Sequence, residues 1–543
     1  MAKGKRYLTS MFMRYRSHYS SFRVLLILAL VVAVLFIYKY HSNNRQTAVS
    51  DDDGRGDDID KLMGEVVRKL NLQKPADGQH CAIPHLNSPA VSPGNASCRR
   101  IQPIRGSCQL ANDMFLSTPK ESCDHQQYQT ICEYEEMHNA IKCYNDVCDP
   151  EKPVSIATTS PDLGTLHWRS LPSIAKLQDL LRNMIDPKSR QHHFGFIFIR
   201  CPKLRDEEEK DDEDDDESNT NDTPEYEYNN DDEAYEDDLI LAGKHHLVGI
   251  NVYQLLILPP KIINQKAVHT NKYIDVNVVM LDSISRHHFF RSLPNTVQTM
   301  KEINRRNAST VLDFELLQSL KGRTYENLMT FFAGEIYDVA KPFGVLDMPH
   351  KPLKTEAMLE QFKKHGYHTS WFEDLCWTWE WGLVKDLLAM DRDLELADRW
   401  KKFKDALQTA RIDRYDVTLS SCEMLRVNHH HDPFHGPEAL CYRGKHQHEY
   451  ILQYVKYFQS TMAKLKQPYF NNLLLNTGHE DTGRRVQTLD DALADYVEFL
   501  TKQENTLTIM YADHGNAYGE FIEKTEEGRI ELYNPFLIHH SAK

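Results

Sequence analysis

Apolar and polar positions divide the 543-residue chain into regions of distinct texture. Residues 24–38 are fifteen positions without a charge, bounded by Arg23 and Lys39. A bilayer span needs about 20 residues, and Phe22 and Tyr40 extend this run as amphipathic edges, so 24–40 is expected to be a transmembrane helix. Residues 41–80 are polar, as expected of a stem. Between 81 and 272, strand-like apolar runs occur at 194–199, 247–252 and 255–258, interrupted by an acidic tract at 206–238 that cannot bury a core. That tract is expected to be a disordered insertion between strands. From residue 273 short apolar runs alternate with amphipathic stretches. Strands are expected at 276–281, 311–316, 367–372, 469–475, 507–511 and 535–539. Helices are expected at 355–365 (stopped by Gly366), 449–466 and 489–502, with a further helical stretch at 327–332. This alternation predicts an α/β domain over 273–543, with a mostly parallel sheet and helices on both faces.

Composition changes the picture in one respect. With 41% hydrophobic and 26% charged residues, whole-chain disorder, collagen and coiled coil are excluded. The net charge of −15 is local, because 206–238 holds 20 Asp/Glu against one Lys and the remainder sums to about +4. No basic patch with interleaved aromatics exists, so nucleic acid is not an expected partner.

Ahead of the apolar run lie Lys3, Lys5, Arg6, Arg14, Arg16 and Arg23 with no acid. The positive-inside rule makes 1–23 a cytosolic tail and the chain a single-pass type II membrane protein. A cleaved signal peptide, which would secrete the protein, normally shows small residues after the apolar core, whereas Lys39-Tyr40-His41 follows here. Eight of the eleven cysteines fall between Cys81 and Cys201, a density typical of an oxidising compartment. None forms a C-x-x-C pair, and their connectivity is not legible. Asn95, Asn221 and Asn307 head glycosylation sequons. Together these features place the protein in the Golgi and secretory pathway or at the cell surface.

Ligands of open α/β sheets bind beyond the carboxyl ends of the strands. Here those ends carry Asp282, His479, and Asp513 with His514, the residue types that divalent metals recruit. Singly, such an Asp is a helix cap and such a His a core residue; three strand ends together point to a metal site. His429, His430, His431 and Asp432 with His435 lie in a polar stretch between Cys422 and Cys441, and a surface loop closed by that cysteine pair is expected. Trp371, Trp377, Trp379 and Trp381 are expected in the core or a pocket wall rather than as a sugar-stacking platform.

The run from Val278 to Arg286 with Leu281-Asp282-Ser283 at its centre, and then Arg291-Ser292-Leu293-Pro294-Asn295-Thr296, resembles the opening of the domain of unknown function 229. That family lies within the alkaline phosphatase/sulfatase superfamily. Thr324-Tyr325-Glu326-Asn327-Leu328 with Gly334, Asn476-Thr477-Gly478-His479, and Tyr511-Ala512-Asp513-His514-Gly515 match in order and spacing, over about residues 100–540.

The resemblance implies an alkaline phosphatase-like fold acting on a phospho- or sulfo-ester substrate. It implies a divalent metal, Zn or Mn in first place and Ca or Mg as alternatives, held by Asp282, Asp513 and His514. Thr324 is the implied nucleophile at a helix start, where an anionic group is favoured. Asn327 either assists the anion or serves only the structure. His479 binds substrate or a second metal. The D-x-x-G-H pattern of two-metal members has Leu475 at its first position here, so the second site is expected to be broken. The C-x-P-x-R cysteine of sulfatases is absent; Cys148-Asp149-Pro150-Glu151-Lys152 imitates it, ends in Lys and precedes the sheet. Superfamily members generally continue beyond the segment after Asp513-His514-Gly515, so the resemblance implies a truncated form with weakened or lost activity. The competing expectation is a non-catalytic lumenal binding or adhesion module on the same fold.

Overall fold

The computed structural model describes residues 107–116, 120–123, 128–160, 164–189, 193–204, 251–262, 273–336, 351–388, 394–427, 432–436 and 438–542. All of them belong to the compact unit 81–543. The segments expected to be a membrane helix and a stem, the acidic tract, Asn95 and Asn221, and His429–His431 lie outside the described residues. Among the described residues no helix is long and apolar enough to cross a membrane.

After a two-stranded hairpin of Cys132–Glu135 and Ala140–Cys143 comes a four-stranded antiparallel sheet. It contains β1 (Val154–Thr159), β2 (Leu166–Leu171), β3 (Phe196–Pro202) and β4 (Asn251–Ile257), in the order β2-β1-β3-β4. Where two runs were expected at 247–252 and 255–258, the described part is the single strand β4. Period-two alternation gives this sheet two apolar faces. Ile197, Ile199 and Leu256 pack on α1 (Ile174–Ile185), whose Leu177 and Leu181 share their cluster. Phe196, Phe198, Leu255 and Ile257 point the other way, toward Tyr454 and Phe458.

The second sheet is mixed and mostly parallel. Its strands are β5 (Asp275–Leu281), β6 (Ser309–Asp313), β7 (His368–Glu373), β8 (Tyr469–Leu475), β9 (Thr506–Tyr511) and β10 (Leu537–Ala542), in the order β6-β10-β9-β5-β8-β7. Strand β10 alone runs against its neighbours β9 and β6; β7, β8, β5 and β9 pair in parallel. Central strands buried on both faces read as continuous apolar runs. In β5, Val279 and Leu281 enter one cluster with α2 (Arg286–Ser292), α3 (Pro294–Arg306), α7 (Gln447–Leu465) and α8 (Asp490–Leu500). Val278 and Met280 enter another with α4 (Thr324–Ala333), α5 (Glu356–Lys364) and α6 (Leu396–Thr409). Helix α7 is therefore covered by both sheets.

Two strand expectations shift. The strand expected at 311–316 ends at Asp313, whose carboxylate is held by the buried Arg286 at 2.6 and 3.2 Å before the chain turns out of the sheet. The strand expected at 535–539 runs instead from Leu537 to Ala542, inserted between β9 and β6. The disulfide expectation is corrected. Cys422 bonds to Cys376 and Cys441 to Cys123, because the former sits on the helix Asp416–Val427 and the latter on a two-residue strand met by the N-terminal segment. Cys132–Cys143 and Cys148–Cys201 are also bonded.

Candidate metal centre

Strand β5 delivers Asp282 one residue past its end, and β9 delivers Asp513 and His514 two and three residues past its own. The strands are parallel neighbours, with Met280 opposite Tyr511, so the three side chains meet at one end of the sheet. Their ligating atoms lie within 4.8 Å of one another, and all three residues are buried. Thr324, the first residue of α4, adds its hydroxyl: Oγ1 is 3.3 Å from Asp282 Oδ2 and 3.5 Å from His514 Nε2.

Local backbone geometry makes this convergence possible. Ser283 adopts φ +64°, a left-handed conformation that a non-glycine residue takes only under constraint. From that position its hydroxyl donates to Asp282 Oδ1 at 2.7 Å and its N–H to Asp513 Oδ1 at 3.4 Å. One residue thereby orients both carboxylates. Gly478 is required for a different reason. A Cβ there would stand 2.7 Å from the Asp282 carbonyl oxygen, so the β8 loop approaches the β5 loop only without a side chain.

The electrostatics are those of a site lacking a positive charge. Burial raises the Asp282 carboxyl above its ordinary range, partly offset by His514 and Ser283. Burial, then repulsion from Asp282, raises Asp513. Burial alone would depress His514, but Asp513 and Asp282 outweigh it and raise the imidazole. Asp513 Oδ2 has no hydrogen-bond partner although it is buried and 3.3 Å from His514 Nε2. His514 Nδ1 faces the Gly515 carbonyl at 2.6 Å, so Nε2 is the ring nitrogen turned toward the carboxylates. Two carboxylates, an orphaned oxygen and a ring nitrogen turned inward are the donor set a borderline divalent cation takes. The residues fit a metal.

His479 is not in that three-residue cluster. Its ring is buried against Phe434, with centroids 4.0 Å apart, and its Nδ1 lies 3.3 Å from the Phe434 carbonyl. Burial and then the neighbouring His514 depress it to about 4. Leu475 is fully buried in the core and Asn476 is tied to Asp374 through its N–H (2.8 Å) and amide (2.6 Å). Asn327 spends its amide on the loop before Thr324: Oδ1 accepts from the N–H groups of Leu320 and Lys321, and Nδ2 donates to the carbonyls of Lys321 and Arg323. Asn307 is an exposed left-handed cap ending α3. Cys148 is locked in a disulfide with Cys201, which removes the nearest imitation of a sulfatase cysteine. Trp371 and Trp377 are core, each 1% exposed, Trp379 is half-buried, and Trp381, against the expectation, is 43% exposed.

Several contributors were missed by sequence reasoning. Ser283 lay inside a motif without an assigned role. Glu326, buried in the first turn of α4, helps raise His514. Arg485, entirely buried, donates to the carbonyls of Thr477, Asn476, His479 and Pro433 at 2.7–3.0 Å. No sequence signal marks it.

The family profile described as "Protein of unknown function (DUF229)" matches residues 174–378 and 416–541, more than half of the chain. The chain belongs to the DUF229 family. Asp282, Thr324, His479, Asp513 and His514 all fall within the matched stretches. Comparison with curated proteins gives no match. Solved structures similar to it include a protein in the alkaline phosphatase superfamily from Vibrio parahaemolyticus, at 11% identity over 51% of this chain and 62% of that one, TM-score 0.32. The C-terminal periplasmic domain of EptC from Escherichia coli, in complex with Zn, is 13% identical over 51% of this chain and 75% of that one, TM-score 0.31. Alkaline phosphatase from the Antarctic bacterium TAB5 is 10% identical over 50% and 92%, TM-score 0.27. The chain thus spans less than two thirds of the first of these.

Proposed function

We propose that this protein is a metal-dependent phospho- or sulfo-ester hydrolase or transferase with Thr324 as its nucleophile. The observation that carries the reading is the convergence of Thr324 Oγ1 with the buried Asp282, Asp513 and His514 around an acceptor, Asp513 Oδ2, that makes no hydrogen bond. Asp282, Asp513 and His514 would hold a divalent cation, whose Lewis acidity would lower the hold of Thr324 on its proton and offset the charge of the ester. Thr324 Oγ1 attacks phosphorus or sulfur and gives up its proton to solvent water. As the new bond to Thr324 forms, the ester oxygen leaves and takes a proton from water. Water then displaces the Thr324 adduct in hydrolysis, or an acceptor hydroxyl displaces it in transfer. Thr324 opens α4, and its cap Arg323 makes no side-chain capping bond, so the first-turn N–H groups and the helix dipole favour an anion there.

The disulfides support placement of this domain outside the cytosol. Its anchorage through residues 24–40, with 1–23 cytosolic, completes the reading. The test is metal analysis of the purified ectodomain, followed by assay on chromogenic phosphate mono- and diesters and sulfate esters. Bound Zn or Mn with turnover removed by Thr324→Ala is expected. No metal and no turnover on any ester would favour a non-catalytic binding module.

A further inference from the structure

Beside the metal centre, aromatic rings from separate loops form a continuous wall. Trp379 meets Phe434 edge-on at 4.6 Å, Phe434 lies on His479 at 4.0 Å, His479 meets Tyr518 at 5.1 Å, and Tyr518 meets His435 at 4.9 Å. The wall adjoins the reacting groups. Gly478, the residue before His479, packs so closely on the Asp282 loop that a Cβ there would stand 2.7 Å from the Asp282 carbonyl oxygen.

Core aromatics in this protein are fully covered, as Trp371 and Trp377 are, but Tyr518 is 39% exposed and Trp379 and Phe434 are half-buried. Rings left open beside a reaction centre have surface to offer a ligand. Their tilts decide which kind. Adjacent planes differ by 23°, 47°, 78° and 80°, and no two adjacent rings stand parallel and apart as a slot for a planar base would require. The rim is polar: His435 Nδ1 and Asp481 Oδ1 are 2.9 Å apart, with side chains 48% and 54% exposed. An open aromatic face bordered by an imidazole and a carboxylate matches a ring with an apolar C–H face and hydroxyls at its edge.

The wall is preformed. Arg485 ties the loop carrying Phe434, through the Pro433 carbonyl, to the loop carrying His479, through the carbonyls of Asn476, Thr477 and His479. Asn516 joins the Tyr518 loop to the same segment, donating to the Glu480 carbonyl at 3.0 Å and accepting from the Tyr518 N–H at 2.7 Å. Rings held this way need no ordering when a ligand arrives.

We propose that this wall seats a sugar ring, so that the ester group presented to Thr324 is carried by a phosphorylated or sulfated carbohydrate. The proposal rests on the ester-cleaving reading of the Thr324 site. Its test uses the Zn-loaded protein titrated with hexose and hexosamine 6-phosphates and 6-sulfates, and with glycerol phosphate and glycerol sulfate as sugar-free esters, by calorimetry and ligand-observed NMR. At least one sugar ester is expected to bind about tenfold more tightly than its glycerol counterpart. Tyr518→Phe should keep that preference and Tyr518→Ala should lose it; Tyr518 is exposed, so neither change endangers folding. Equal affinity for all esters, or a preference that survives Tyr518→Ala, would overturn the proposal. An aryl ester cleaved through Thr324 without sugar preference removes the carbohydrate inference alone. Sugar preference without aryl-ester cleavage through Thr324 removes the reaction instead.

Discussion

The carboxyl end of the six-stranded sheet and the body of the four-stranded sheet are built on opposite terms. In the smaller sheet, alternate residues divide between two apolar clusters and the Cys148–Cys201 bond clamps β3 to the segment before β1. At the end of the larger sheet, carboxylates are buried beside one another, a serine is held at positive φ, and an acceptor is left without a donor. Such features destabilise a fold by roughly 1–3 kcal/mol each, and they persist only where the surroundings over-determine them. Strength and chemistry are therefore segregated, and perturbing one region should leave the other's property nearly intact.

The largest test strikes the chemistry. Thr324→Ala should lower kcat by about 10⁴-fold or more while leaving Tm nearly unchanged, because the residue is only partly buried and α4 takes no side-chain cap from it. Kinetics on one accepted ester, with a thermal melt of the same preparation, measure both; a parallel loss of Tm would contradict the segregation. The converse acts on strength. Replacing Cys148 and Cys201 together by Ser opens a loop of 53 residues and should lower unfolding free energy by about 4 kcal/mol in urea titration, with Zn affinity of the folded protein unaltered.

Acid offers a third handle. Burial holds His448 and His288 neutral, depressing each to about 3. Unfolded, each takes up a proton near 6.5, so their contribution is intact above that pH and declines as pH falls toward 3. Each should lose about 2 kcal/mol between pH 6.5 and 5. The raised carboxyls of Asp275 (about 7) and Asp374 (about 6) act in the opposite sense, so the readout is a difference. His448→Gln should shrink the pH 7 to pH 5 stability change, relative to the unsubstituted protein, by about that amount. An unchanged pH dependence would show the imidazole to be charged in the fold. The smallest effect is expected of Ser283→Ala, which removes the hydroxyl bond to Asp282 and should weaken Zn binding by about tenfold in competition titration.

How much of this was legible follows from which forces are local. The doubly buried strands, the helices between them and the strand-end positions of Asp282, Asp513 and His514 could all be read from apolar runs and turn residues, since burial imposes its period on the sequence itself. The site's second layer could not. Arg485 is one arginine among many until the backbone brings four carbonyls around it. The same holds for the polar ladder inside the sheet, where Ser370 donates to Asn471, Asn471 to Asn277, and Asn277 to Tyr496 across buried faces. Those asparagines look like interruptions of apolar strands and are instead satisfied by partners about 100 to 220 residues away.

By itself, then, the sequence determined the α/β alternation, the ends of strands at which metal-type ligands stand, and a cysteine usage suited to an oxidising compartment. The tertiary structure alone decided which cysteines pair, that β10 inserts antiparallel between β9 and β6, that Ser283 orients two carboxylates, and that rings from distant loops line one side of the centre. The physical reason is separation along the chain. Hydrophobic period acts between residues a few positions apart and is written locally, whereas a disulfide between Cys123 and Cys441 or a hydrogen bond from Ser283 to Asp513 exists only after hundreds of intervening residues have been placed.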